Sequence, residues 1–362
     1  MIDQNNKNEQ NNQQNQPPRD DPFAASDIYG QTYQTYQTSQ NDPYAQYFNQ
    51  NKPRHRSTTN HFTEFKDGKT IFLTVLKALL FVLLFVAIQN LVVLAAEIPI
   101  TVYLTLQGIT SEEELLARVI EILSPYLNYL SALSGLLTVI AVFVIFACRK
   151  KNPFKELSFN KTKVSTIIIC IFAGIALNFS CNILFMFMPP EWMTEYTQAS
   201  EGLDTGSLLS YILGGVIMAP ITEEIIFRGA VMKRCAKCMP AVFASLVAAV
   251  VFGICHGNLV WAIYAGTLGF IIGLIFARFD SIIPCIVLHL SFNSVSAIQR
   301  VVMDLPAIQN MSESQELIFN AGFTILSYAM LAVSVALVTI LMTSEKLLVT
   351  PKNTKEEFSV NE

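Results

Sequence analysis

The chain has 362 residues, of which 52% are hydrophobic and only 14% charged, with a formal net charge of -4. A soluble globular protein carries roughly 25% charged residues, so most of this chain is no ordinary water-soluble globule. The small acidic balance, with no basic run interleaved with aromatics, excludes a nucleic-acid binder.

The first segment is the polar one. Residues 1–60 hold 21 Asn or Gln, with a short QTY-QTY-QTS repeat at 31–39. Such a stretch buries too little apolar surface to offset its ordering entropy, so residues 1–68 are expected to be a disordered cytoplasmic tail. The first 30 residues contain no basic segment followed by an apolar run, so no signal peptide is expected there. The first apolar span, near Ile71, is then expected to direct membrane insertion.

Apolar runs able to cross hydrocarbon, which takes roughly 20 helical residues each, lie near 71–96, 127–148, 164–188, 207–232, 240–256, 259–277, 281–303 and 316–342. They lack the alternation of a barrel, so they read as helices. The expected fold is an all-α integral membrane protein of about eight transmembrane helices over 69–345, with a second cytoplasmic tail at 346–362. Seven cysteines, most inside these runs, are small apolar residues rather than a disulfide framework, and Cys235-x-x-Cys238 alone is too weak a pattern for a metal or redox site.

Loop charges set the expected topology. Lys52, Arg54, Arg56, Lys66 and Lys69 precede the first span, and Arg149, Lys150, Lys151, Lys155, Lys161 and Lys163 follow the second. Lys233, Arg234 and Lys237 follow the fourth, Arg278 the sixth, and Lys346, Lys352 and Lys355 the eighth. The alternate loops are poor in base and carry Glu112, Glu113, Glu114, Glu191, Glu195, Glu201 and Asp204. Both termini are therefore expected in the cytoplasm, across a cell (plasma) membrane. Lys77, inside the first span, is expected to snorkel to the inner interface. Between spans one and two, Thr110 or Ser111 before three glutamates makes a helix start, and the following apolar spacing predicts an amphipathic helix on the outer face.

The informative residues are polar ones inside the membrane, where an ionisable group costs at least about 2.5–3.5 kcal/mol. Span four contains Glu223-Glu224-Ile225-Ile226-Phe227-Arg228. Glu224 and Arg228 are four apart, with the acid N-terminal to the base, the favourable order for an ion pair. Glu223 is turned about 100° away and is left for chemistry. Span five ends Phe252-Gly253-Ile254-Cys255-His256, and span seven carries His289 and Asn293 four apart on one face. Together these form a workable hydrolytic set. Glu223 can take a proton from water, and the imidazoles can orient that water, donate to an oxyanion or bind a metal. The Asn293 amide can donate but cannot titrate. The His-Glu-x-x-His pattern of zinc proteases is absent.

The elements Glu223-Glu224-x-x-x-Arg228, Phe252-x-x-x-His256 and His289-x-x-x-Asn293 resemble the three motifs of the CPBP intramembrane proteases, which include CAAX proteases and bacteriocin-processing enzymes and are also called the Abi family. They stand in the family's order, on separate helices, over about 207–303. The resemblance implies an eight-helix intramembrane endopeptidase acting on a peptide or membrane-protein substrate in the lipid bilayer. In it Glu223 and His256 would activate water, and His289 and Asn293 would stabilise the oxyanion. The family is commonly called a metalloprotease family, so the resemblance also implies a zinc or other divalent ion held by Glu223, His256 and His289.

Two other classes fit some of the same residues. A proton-coupled transporter also buries Glu and His, though the spans at 71–188 and 207–303 show no evident similarity to one another. A non-catalytic immunity or scaffold protein would keep the fold and bind without cutting. One difficulty stands: at 1.5 Å per residue His256 comes out about 10 Å deeper than Glu223 and His289, too far apart for one site.

Overall fold

A computed structural model describes residues 64–203 and 206–348. The expected tails fall almost wholly outside these residues. Among the described residues all regular structure is helical.

Helix α1, Gly68–Leu106, starts where the Asp67 side chain accepts from the Thr70 N–H at 3.0 Å. Hydrogen bonding to Thr70 holds that exposed carboxyl below the usual carboxylate range. With 39 residues, α1 runs about 58 Å, well past the end expected near residue 96. Pro99 lies inside it: the ring removes one backbone donor, and the helix continues to Gln107 despite that loss. Helix α2, Glu112–Leu123, is the amphipathic element expected there. Ser111 accepts from the Glu114 N–H, and Val119 and Leu123 pack on Leu104. Next come α3, Leu127–Cys148, and α4, Val164–Phe185.

Helix α5, Pro190–Leu203, was not foreseen; it is too polar to look like a span and too short to show a period. Its Tyr196 ring lies 5.2 Å from Phe185 and 5.6 Å from Trp261. The remaining helices are α6, Leu208–Cys235; α7, Ala241–Ile254; α8, Leu259–Phe279; α9, Ile282–Met303; and α10, Glu313–Thr343. Seven of the apolar helices are long enough to cross a bilayer, and the 14-residue α7 is the short eighth. The protein is an all-α integral membrane protein.

Close approaches between backbones set the packing around α6. A Cβ on Gly174 of α4 would collide with the Leu288 carbonyl of α9, so only glycine lets these helices meet here. Asn178, one turn on, donates to Phe292 O at 3.0 Å and Ser296 Oγ at 3.1 Å. Helices α7 and α8 fold back on one another through Gly257, whose φ of 71° suits glycine, and Asn258, whose Oδ1 caps Val260 at 2.9 Å.

At the basic end, Lys233 Nζ donates to Lys155 O at 3.0 Å and to Ser158 Oγ at 2.7 Å, and Ser158 donates to Asp280 Oδ1 at 2.9 Å. This clasp ties the loop after α3 to the turn between α8 and α9. Helix α6 lies at the centre: Glu224–Met232 is buried along its whole length.

Candidate active site

Helix α6 does not keep one winding. It is π-wound over Ile212–Met218, α-helical over Ala219–Glu223, and π-wound again over Glu224–Met232. Such local changes of register are associated with functional sites. Part of the cause is visible in the sequence. The Ala219 N–H reaches back five residues to Gly214 O, so the next donor in that register would serve Gly215 O. The next residue is Pro220, which has no N–H. Gly215 O is served instead by Asn293 Nδ2 of α9, at 2.8 Å. Asn293 is thus both a partner of a backbone orphan and a member of the motif set.

One turn further, three helices converge on the acidic pair. Glu224 is fully buried, and its Oε1 accepts from Arg228 Nη1 at 2.9 Å and from His289 Nδ1 at 2.8 Å. Arg228, 1% exposed, also donates through Nη2 to Gly269 O of α8 at 2.8 Å and stands 5.2 Å from the centroid of the Phe252 ring of α7. A charge-assisted network of this kind is what makes three buried ionisable groups tolerable. Glu223 is different. Its side chain is 16% exposed, and its Oε2 lies 3.7 Å from His289 Nε2, beyond hydrogen-bond length. One carboxylate is locked from both sides and the other is not.

The histidine nitrogens can be told apart by their partners. His256 Nδ1 lies 2.8 Å from Phe252 O, which only accepts, so Nδ1 carries the proton. His289 Nδ1 likewise donates to the carboxylate of Glu224. In both rings Nε2 is the nitrogen left for chemistry. Phe252 links them: its ring is 4.7 Å from His256, 6.0 Å from His289 and 4.9 Å from Phe227. The depth difficulty is met by packing, since the turn after the short α7 carries His256 to the same aromatic that meets His289 and Arg228.

The motif residues are therefore gathered around α6, though they do not all touch one another. Glu224, Arg228 and His289 bond directly, Glu223 faces His289, His256 joins through Phe252, and Asn293 stands one helical turn along α9. The zinc expectation fares differently. The engaged Nδ1 atoms would orient Nε2 as a metal ligand needs. Even so, among the described residues no three His, Cys, Asp or Glu side chains come close enough to hold one ion. Glu223, His256 and His289 do not form a ligand set as placed.

Two contributors were missed from the sequence. Gly269 offers the carbonyl that Arg228 uses, and a Cβ there would sit 2.9 Å from Phe252 Cδ1 and 3.3 Å from Arg228 Nη2. The signal was Gly266, Gly269 and Gly273 on one apolar helix, a spacing of small residues that brings helices together. Gly215 had no signal of its own, because its importance comes from Pro220 five residues later.

The segment that carries these residues resembles known proteins. Residues 205–295, which contain all the motif residues, match the family described as Type II CAAX prenyl endopeptidase Rce1-like. The "Putative membrane peptidase YdiL" of Bacillus subtilis (strain 168) is 33% identical over 122 residues, covering 34% of this chain and 48% of the relative. The chain thus spans about half the length of the curated relative it matches. No solved structure matches. The segment at 205–295 is thus similar to the Rce1-like CAAX prenyl endopeptidases and to a relative named as a membrane peptidase.

Proposed function

We propose that the protein is an intramembrane endopeptidase in which Glu223 activates water against a peptide bond of a membrane-associated substrate. The observation that carries this reading is the unequal treatment of the paired acids. Glu224 is spent on Arg228 and His289, whereas Glu223 is partly exposed and unbonded beside His289 Nε2.

In this mechanism the Glu223 carboxylate removes a proton from water, and the water oxygen bonds to the carbonyl carbon of the scissile bond. The carbonyl π electrons move to its oxygen. The C–N bond then breaks, and the proton held on Glu223 passes to the departing amine. His256, with its lone pair on Nε2, accepts a hydrogen bond from the attacking water and fixes its direction. Asn293 keeps one amide N–H after serving Gly215 O, and that N–H is the neutral donor for the oxyanion. His289, held at Nδ1 by Glu224, presents Nε2 3.7 Å from Glu223 Oε2. A zinc ion would draw on Glu223 Oε2 and the two Nε2 atoms and would polarise the carbonyl. Those atoms are not gathered into a ligand set among the described residues.

Both termini are placed in the cytoplasm of a cell membrane by the loop charges, and the 1–68 and 346–362 tails take no part in catalysis. The test is hydrolysis of reporter peptides in liposomes, with prenylated C-terminal peptides, leader peptides and transmembrane segments as candidate substrates. Glu223→Gln should lower the rate by about 10²–10⁴, the range of a lost general base, with an unchanged melting curve. Equal cutting by the wild type and Glu223→Gln would overturn the assignment. Tight binding of a substrate that neither protein cuts would favour a binding role.

A further inference from the structure

A second site lies at the basic end of the molecule, away from the acidic pair. A cavity of about 690 Å³ opens between α1, the C-terminal end of α3 and the C-terminal end of α6. Its walls carry five cations, Lys66, Lys77, Arg149, Arg234 and Lys237, and among the described residues no carboxylate lines it. Glu156, whose charge reaches Arg234, is itself bridged to Lys151 at 3.3 Å. Arg234 is fixed in place: Nη1 donates to Ala230 O at 2.6 Å, and its guanidinium lies 4.2 Å from the centroid of Phe81 and 5.5 Å from that of Phe146.

The cavity is graded along its length. On α1, Thr70, Thr74 and Lys77 fall on one stripe at three- to four-residue spacing, with Lys66 just before the helix, and the stripe continues as Leu80, Phe81 and Leu84. At the C-terminal end of α3, Ile145 and the cap residue Arg149 run in the reverse chain order, apolar and then basic, one turn apart. Head and tail are therefore spatially separated. A free phosphate would use only the cations and leave the apolar walls uncovered. A lipid uses both. Arg234 lies 11 residues from Glu223 along α6, about 16 Å, so this cavity is not part of the acidic site.

We propose that this cavity binds an anionic glycerophospholipid, its phosphate among Lys77, Arg149, Arg234 and Lys237 and its acyl chain along Leu80, Leu84 and Ile145. The cations stand at the helix ends that loop charge assigns to the cytoplasmic leaflet, where anionic lipids concentrate and basic pockets between helices hold their headgroups.

The experiment is native mass spectrometry of the purified full chain in neutral detergent, with phosphatidylglycerol and phosphatidylcholine offered at equal concentration. Phosphatidylglycerol adducts should persist at collision energies that strip phosphatidylcholine, and excess inorganic phosphate should not displace them. Each cation contributes about fivefold to anionic-lipid affinity, so Arg149→Gln with Lys237→Gln should weaken the adduct about 25-fold. The melting temperature of this variant in lipid-free detergent should match the wild type. If the double variant does not fold, Lys77→Gln, on the exposed side of α1, should still show about a fivefold loss. Equal retention of the two lipids, displacement by inorganic phosphate, or unchanged binding by the folded variants would each overturn the proposal.

Discussion

The motif helices and the outer helices satisfy their polar groups in opposite ways. In α1 and α10, only 17% of the most apolar window is buried in the protein, against 44% for α6, α8 and α9. On the outer helices polar side chains fold back on their own backbone. Asn90 donates to Val86 O, and Thr105, Thr324, Thr339 and Thr343 each donate to the carbonyl four residues back. On the inner helices Thr267, Ser291 and Ser294 do the same, but the charged and amide side chains of the site reach across. Arg228 of α6 serves Gly269 of α8, His289 of α9 serves Glu224 of α6, and Asn293 of α9 serves Gly215 of α6. A side chain that bonds its own helix can be removed without orphaning a partner. One that bonds a neighbouring helix cannot, because no water is at hand to replace it.

The largest stability effect should therefore come from Glu224. Glu224→Gln removes the counter-charge of a buried arginine, a loss of about 3–5 kcal/mol for a broken buried pair. It also weakens the acceptor of His289 Nδ1, so activity should fall through displacement of that ring. Replacing both charges, Glu224→Leu with Arg228→Met, should recover part of the lost stability while leaving the protein inactive. Melting curves beside reporter hydrolysis check this. A fully stable but inactive Glu224→Gln would exchange the roles assigned to the two glutamates.

Asn293 gives the next effect. Asn293→Ala leaves Gly215 O without a donor inside the helix bundle, a cost of about 1–3 kcal/mol. Pro220 is the reason that carbonyl needs a side chain at all, so Pro220→Ala should return a backbone donor. The Asn293→Ala cost should then shrink in the Pro220→Ala background, which a double-mutant cycle measures directly. Additive effects would show that Pro220 is not what orphans the carbonyl. Activity should not return in the double variant, since the proposed oxyanion donor is still missing.

How much of this was open to a reader of the sequence follows the same division. Apolar length located the seven helices long enough to cross a membrane among the described residues, and the short α7, because hydrocarbon thickness acts on each segment separately. Helical spacing paired Glu224 with Arg228 and turned Glu223 aside, because both relations lie within one helix. What depends on a second helix was hidden. Nothing local told that Glu224 also holds His289, that Gly269 supplies a carbonyl to Arg228, or that Phe252 carries the contact between the two histidines. The π-winding of α6 was equally hidden, since it follows from Pro220 and a partner 78 residues away. Helix α1 outran its expected end because hydropathy marks where a membrane would stop, whereas the helix stops only where backbone bonding does.

The smallest effect is the one that tests the comparison itself. Thr339 lies on the exposed side of α10, and its Oγ1 donates to Val335 O at 2.8 Å. Val335 O is also the regular α-helical acceptor for the Thr339 N–H, so loss of the hydroxyl leaves it with a donor. Thr339→Val keeps the branched shape, removes the hydroxyl, and places a methyl where lipid is the neighbour. The cost should be below about 0.5 kcal/mol, with reporter hydrolysis unchanged. Asn178 provides the contrast, since it bonds across to Phe292 O and Ser296 on α9, and Asn178→Leu should cost more. If Thr339→Val lowers the melting temperature as far as Asn178→Leu, the distinction between polar groups that bond within a helix and those that bond between helices does not govern stability here.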